Sequence, residues 1–566
     1  MLRRAFMLLG FLHFLPADAS PPADVVFVNG VVYTLDPARS WASAVVIAGE
    51  YIAYVGDDQT AQSFIGPGTR VVDLQHRMLL PGFQDSHVHP AAAPNPATSL
   101  ILDGLTRRTD VFDRIRRYAR AHPEKRWIVG SGWSETAFLP NGLPTRQMLD
   151  ALIPDRPAYL VNNSGHGAWV NSEALKIAHI TATTPDPPNG RIDRDAVGQP
   201  TGGLQEYAMQ LIEALIPPPS SSERIDNLSA ALEEMVHFGF TAIEDAFATA
   251  EVVAAYRAVD RRGSLPLRAN LCLGFRPSES DDAQIQWFLA QRKELAGHRL
   301  RADCVKILLD GVPETHTAAL LEPYSDDPKY GSGKLFLDKD RLDRIVTRLD
   351  AAGFQVHMHT IGDAAVRAAL ESIAAARRSN GFRDNRHTLA HLGLIDPADL
   401  PRFRALGVIA NMTPLWSRGD DWERVFAPVV LGRERSQRVL QTRTLLDSGA
   451  ILVWGSDWPV TGVSPLDGIE TAITHRFLGG RDSAGKEDPP WSPQERVNLE
   501  QALVAYTSAG AYLLHDPARG TVATGNLADL VVIDRNLFAI DSLDIHNAKV
   551  DMTVIGGKIV YARGAD

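Results

Sequence analysis

Eight apolar runs, several of them separated by helix-patterned stretches, constrain the architecture of this chain more tightly than any other feature. They are centred on Leu79–Phe83, Thr241–Glu244, Arg268–Leu273, Cys304–Leu309, Phe354–His359, His387–His391, Val408–Met412 and Ile451–Gly455, each bounded by turn or polar residues. Helical patterns at Ile225–Phe238, Arg341–Ala352, Ala364–Ala376 and Asp396–Leu406 lie between some of them. A short apolar run bounded by turns suits a strand buried on both faces. Strand–helix repetition implies parallel strands with crossover helices, and eight such units predict an α/β fold, a (β/α)8 barrel. The first and second runs are roughly 150 residues apart, far more than a crossover needs. That gap predicts an inserted subdomain at about 95–225 over the barrel mouth, with further strand-like runs at Trp127–Gly130 and Ala158–Val161.

Both chain ends have a different texture. Val25–Val28, Val31–Thr34, Ala44–Ile47 and Tyr51–Val55 read as short strands punctuated by Gly30, Gly49 and Gly56. Ala528–Ile533 and the stretch around Gly556-Gly557 read the same way. The expected organisation is a composite β-sandwich domain from 20–78 and 522–566, with the barrel at 79–521. Pro217 to Ser222 reads as a linker back to the barrel.

At the N-terminus, basic Arg3-Arg4, an apolar run from Ala5 to Leu15, and Ala17-Asp18-Ala19 have the form of a cleavable signal peptide at 1–19. The expected location is therefore periplasmic or secreted. No later segment is apolar for long enough to span a membrane. A net charge of -11 supplies no cationic surface for nucleic acid. Cys272 and Cys304, the only two cysteines, sit in apolar strand-like runs and read as buried free thiols.

A barrel of this kind carries its chemistry at the C-terminal ends of its strands. His87 and His89 follow the first run, one residue apart, and strand alternation turns both to one side. Lys306 lies within the fourth run, His359 ends the fifth, His391 ends the sixth, and Asp457 follows the eighth. Imidazoles converging on one point suit a metal. A lysine in an apolar strand is costly unless paired, with Asp310 or Glu244 the candidate partners, or neutral, because burial depresses its pKa. His357 and His387 read as supporting or structural residues, although His357 shares strand parity with His359.

This order, His-x-His, Lys, His, His, Asp, resembles the amidohydrolase superfamily of metal-dependent hydrolases. The strings QDSHVH, HTIGD, HLGL and WGSDWPV resemble its amidohydrolase 3 branch, which includes N-substituted formamide deformylase-like proteins. The likeness runs from about Val25 to the chain end. It implies two divalent metal ions, most readily zinc given these ligands. His87, His89 and Asp457 would hold one, His359 and His391 the other, with Lys306 bridging them as N6-carboxylysine. Paired ions of this type lower the pKa of a shared water toward ~7. A bridging hydroxide would attack a carbonyl, and Asp457 would carry its proton to the leaving nitrogen as general base and then general acid. His166, in Asn163-Ser164-Gly165-His166, is similar to a family histidine near the metals and would steady the oxyanion.

Trp133, Asp310, Trp416 and Trp458 are the expected substrate contacts. The expected reaction is hydrolysis of a small-molecule amide, an N-acyl or N-formyl amine with an apolar or aromatic part. Two alternatives stand beside it: an ester, lactone or cyclic amide cleaved at the same site, and a non-catalytic binding relative. A homodimer is one assembly open to such a chain.

Overall fold

The computed structural model describes residues 23–94, 99–138, 143–481, 486 and 488–564, so the signal-peptide expectation lies outside the described residues. At its centre is an eight-stranded parallel sheet curled into a nearly closed barrel. Its strands are β1 (Phe83–Val88), β2 (Phe240–Ala248), β3 (Arg268–Gly274), β4 (Leu300–Leu308), β5 (Gln355–Thr360), β6 (Thr388–His391), β7 (Ile409–Met412) and β8 (Ile451–Trp454). Each pairs with the next in sequence. The β8–β1 seam is bridged beyond the strand ends, where Asp457 N donates to His87 O (2.8 Å) and His89 N to Trp458 O (2.8 Å). Crossover helices such as Lys339–Ala351 and Asp363–Asn380 cover the outside and bury one apolar stripe each.

Seven of the apolar runs coincide with barrel strands; the first does not. Met78–Pro81 pairs with Val31–Tyr33 and Leu530–Ile533 in a separate six-stranded sheet. The barrel strand starts only at Phe83. Pro81 has no N–H to continue a ladder, and at Gly82 a Cβ would lie 2.1 Å from Thr241 Cγ2, so only glycine lets the chain cross to β2 there. One apolar run thus serves two sheets, and His87 falls inside β1 rather than after it.

The six-stranded sheet draws strands from both chain ends and faces a four-stranded sheet built from 25–73. Phe27, Val45 and Ile47 of one interlock with Leu79, Leu530 and Val532 of the other. Between β1 and β2 the chain forms a further six-stranded mixed sheet spanning 100–206, more strands than its pattern revealed. The return helix, Ser221–His237, starts with a capping box in which Ser220 and Glu223 satisfy each other's backbone N–H groups. The serine tract that reads as a linker is therefore partly a helix start.

The cysteines correct another expectation. Cys272 and Cys304 are register partners on β3 and β4 and form a disulfide, with Cα atoms 4.2 Å apart. Inward-facing side chains on adjacent strands meet, and a separation of 32 residues hides that in the sequence.

In the 100–206 region Glu135 is 5% exposed and accepts from Asn162 Nδ2 at 2.6 Å. Burial pushes its carboxyl up to about 7, against the Asn162 bond. A raised native pKa contributes stability that is fully present below the unfolded value and lost as pH rises through the native one. Glu135 should therefore remove up to about 3 kcal/mol between about pH 5 and about pH 8. Glu135→Gln, which keeps the Asn162 acceptor, should flatten that part of the profile. Urea unfolding at both pH values measures it; an unchanged slope in the variant would disprove the assignment.

Candidate metal centre

Alternation along β1 places Asp85 and His87 on one side, toward the barrel axis. Asp85 Oδ1 accepts from His87 N and Ser456 N, both at 3.1 Å, and ties β1 to the loop after β8. That loop turns at Asp457, whose φ of 55° is left-handed and aims its carboxylate back over β1. Asp457 Oδ1 lies 3.4 Å from His87 Nε2 and 3.3 Å from His89 Nε2. Its Oδ2 lies 3.8 Å from His391 Nδ1. The His359 ring centroid is 4.7 Å from that of His391, and Lys306 Nζ is 3.3 Å from His87 Nε2. The six expected ligands therefore meet at one place, where β1, β4, β5, β6 and β8 end.

These groups fit a cation better than they fit one another. Burial and the neighbouring Lys306 hold His87 well below the ordinary histidine range; burial does the same to His359 and His391. Their rings are neutral, with lone pairs to give. His391 Nδ1 is buried without a hydrogen-bond partner, which is costly unless an electrophile fills the gap. Burial lowers Lys306 to about 7, against the pull of Asp457 and Glu244. Among the described ion pairs none joins Lys306 to Asp310 or Glu244, so the paired-lysine alternative finds no support.

The cluster opens into a cavity of about 990 Å³, walled also by Leu308, Leu320, Ile361, Trp416 and Val460. Residues 161–166, with Glu206, Tyr207, Met209, Gln210, Glu213 and Ala214, from the segment between β1 and β2, line another side. His166 comes from there; its ring centroid is 5.0 Å from that of His359. Its Nδ1 is 2.9 Å from Glu206 Oε2, whose other oxygen accepts from Thr317 Oγ1 at 2.6 Å. Burial opposes a charged His166, but Glu206 outweighs it and holds the ring above the ordinary range.

Of the four expected substrate contacts, only Trp416 faces the cavity, stacked on His391 at 5.2 Å and 14°. Trp133 is 2% exposed in the core of the 100–206 region, its Nε1 donating to Leu160 O, so it is a packing residue. Trp458 packs against the barrel core, and its backbone, not its ring, reaches His89. Asp310 is fully buried and accepts from Ala319 N, Ile361 N and Gly362 N. It also lies 3.0 Å from His359 Nδ1, so it orients that ring instead of touching substrate.

His387 is structural, bound to Asp350 and to Val356 N. His357 Nε2 is 2.9 Å from His87 Nδ1, which takes that nitrogen out of the ligand set. Glu244 backs it, Oε1 at 2.8 Å from His357 Nδ1, and Glu206 does the same for His166. Sequence reading missed both carboxylates in these roles. A glutamate inside the apolar run Thr241–Ala248 was a usable signal for Glu244; nothing marked Glu206, whose partner lies 40 residues away across the sheet.

Gly455 presses on this centre, since a Cβ there would lie 2.4 Å from His87 Cβ and 2.9 Å from His87 N. Gly455→Ala should cost about 1–3 kcal/mol and push His87 off its place, weakening metal retention. Thermal unfolding and metal content of the dialysed variant check this; wild-type values for both would refute it.

A match to the amidohydrolase family covers residues 70–561. The chain is 30% identical to Protein LONG AFTER FAR-RED 3 of Arabidopsis thaliana over 562 residues, 97% of this chain and 94% of that protein. It is 26% identical to N-substituted formamide deformylase of Arthrobacter pascens over 548 residues, covering 95% and 98% of the two chains. Among solved structures, an uncharacterized metal-dependent hydrolase from Pyrococcus furiosus superposes with a TM-score of 0.67 at 25% identity, over 90% of this chain and 99% of that one. With the family match spanning the barrel and every candidate ligand position, the chain belongs to the amidohydrolase family and is a hydrolase of carbon–nitrogen bonds.

Proposed function

We propose that this protein is an exported amidohydrolase that cleaves the amide bond of a small N-acyl or N-formyl amine with an apolar or aromatic part. The observation that carries the reading is the convergence of His87, His89, Lys306, His359, His391 and Asp457 on one wall of a large, mostly apolar-sided cavity. His87, His89 and Asp457 would hold one divalent ion and His359 and His391 a second, with Lys306 carboxylated between them. Zinc suits these donors. When bound, such ions supply Lewis acidity, acidifying water and polarising a carbonyl.

The protein groups do the rest. Asp457 takes a proton from the attacking water on its carboxylate and delivers it to the leaving nitrogen. His166 Nε2, with Glu206 on its other nitrogen, donates to the carbonyl oxygen as charge develops. Trp416 and the aliphatic wall exclude water and hold the apolar part of the substrate. Likeness to N-substituted formamide deformylase supports the formyl or acyl choice. We also read the two chain ends as one sandwich domain, 100–206 as the core of an insertion, and 1–19 as a signal for export.

The test is a panel of N-formyl amines, N-acyl amino acids, lactones and aryl esters, each with and without chelator and then with zinc or manganese restored. Amide cleavage abolished by chelator and recovered with metal is expected, with at least a ~10²-fold drop on stripping. Turnover confined to lactones or esters would replace this reading with the alternative leaving group.

A further inference from the structure

On the Nδ1 side of His87, His357 and Glu244 belong to a second cluster whose two sulfurs hydrolysis does not use. Glu244 of β2, Cys272 of β3, Cys304 of β4 and His357 of β5 point into the barrel, all buried, with ligand atoms within 4.8 Å of one another. Cys272 Sγ is 3.9 Å from His357 Nδ1, which is 2.8 Å from Glu244 Oε1. The two sulfurs are bonded to each other. That bond links strands already joined by their backbone ladder. The company it keeps is more informative: two sulfurs, an imidazole nitrogen and a carboxylate oxygen are the donor types that zinc takes in four-coordinate sites.

We propose that Glu244, Cys272, Cys304 and His357 form a redox-gated site for a zinc-class cation, closed as the disulfide and opened by reduction. The chemistry balances. A phosphine or dithiol gives two electrons to the S–S bond, which breaks as each sulfur takes a proton. The phosphine leaves as its oxide with oxygen from water, or the dithiol as its own disulfide. Metal entry then releases both thiol protons as two sulfur–metal bonds form.

His357 links this site to the hydrolytic one. For His87 to offer Nε2 as a ligand, its proton sits on Nδ1 and is donated to His357 Nε2, 2.9 Å away. His357 then carries its own proton on Nδ1, toward Glu244. A cation bound at His357 Nδ1 displaces that proton, and the neutral ring carries it on Nε2, facing His87. His87 must then accept on Nδ1 and hold its proton on Nε2, the ligand atom. A filled cysteine site therefore opposes metal binding by His87.

Cobalt titration of the full-length protein tests this, because thiolate–cobalt charge transfer absorbs in the near ultraviolet and the chain has only two cysteines. We expect no such band before reduction. After phosphine treatment that leaves the circular dichroism unchanged, a band should rise to saturation at one cobalt per chain in that site. It should be absent from a Cys272→Ser/Cys304→Ser variant and be bleached by excess zinc. No band in reduced, folded protein with two free thiols would overturn the site, and a band before reduction would overturn the gate. Amide hydrolysis should fall at least tenfold as the band rises; unchanged hydrolysis would overturn the competition, the one part that rests on the hydrolase reading.

Discussion

Asp457→Asn is expected to fold normally and lose amide hydrolysis by about 10³-fold or more. The carboxylate sits 3.3–3.4 Å from two imidazole nitrogens and 3.8 Å from a third, on a backbone turned into the left-handed region at φ 55°. Asparagine tolerates that conformation about as well as aspartate, and its volume is nearly the same, so the loop has no reason to move. What disappears is the ability to hold a proton between attack and departure of the leaving group. Weaker ligation is the competing explanation for a dead variant, and the metal content of the purified protein separates the two. Full metal with turnover within tenfold of wild type would remove Asp457 from the proton path. Depleted metal with activity restored by added zinc would make it a ligand alone.

What the sequence disclosed about this centre, and what it withheld, has a common physical origin. Strand parity and the rule that barrels react at strand ends depend only on local geometry, so the placement of His87, His89, Lys306, His359, His391 and Asp457 at or near strand ends was legible. Their reading as a metal set came from their order together and the family resemblance it carries. Their supporting groups were not legible. Asp310 sits at the end of β4 and looks like a mouth residue, yet three backbone N–H groups turn it toward His359. Trp133 lies in a strand of the 100–206 sheet, and only its pairing partners decide which face is core. The Cys272–Cys304 bond depends on the register of β3 against β4, which composition cannot supply. Even the misplaced first strand follows this logic, since the apolar run continues through Pro81-Gly82 while the hydrogen-bond partners change. Patterns fixed by one strand could be read, whereas contacts fixed by two could not.

Lys306→Met carries the second large expectation: the variant should be as stable as wild type or more so, yet retain metal at least ~10²-fold more weakly and hydrolyse amides at a correspondingly lower rate. The stability argument follows from burial. Lys306 is 1% exposed, no carboxylate among the described residues forms an ion pair with it, and its amine is lowered to about 7 by that burial, so a methionine of similar length removes a desolvated polar group without opening a cavity. The function argument follows from the same fact. The neutral form of such an amine is a nucleophile for carbon dioxide; the carbamate it would form releases one proton and would place an anionic oxygen donor beside His87, His89, His359, His391 and Asp457. Reconstitution of metal-free wild type should then depend on bicarbonate, and carbon-13 bicarbonate should place one labelled carbamate carbon per chain in the NMR spectrum, absent from Lys306→Met. If wild type takes up its full metal complement in carbon dioxide-free buffer and shows no labelled carbon, Lys306 acts as a free amine. The proposed bridging role of Lys306 would then fall.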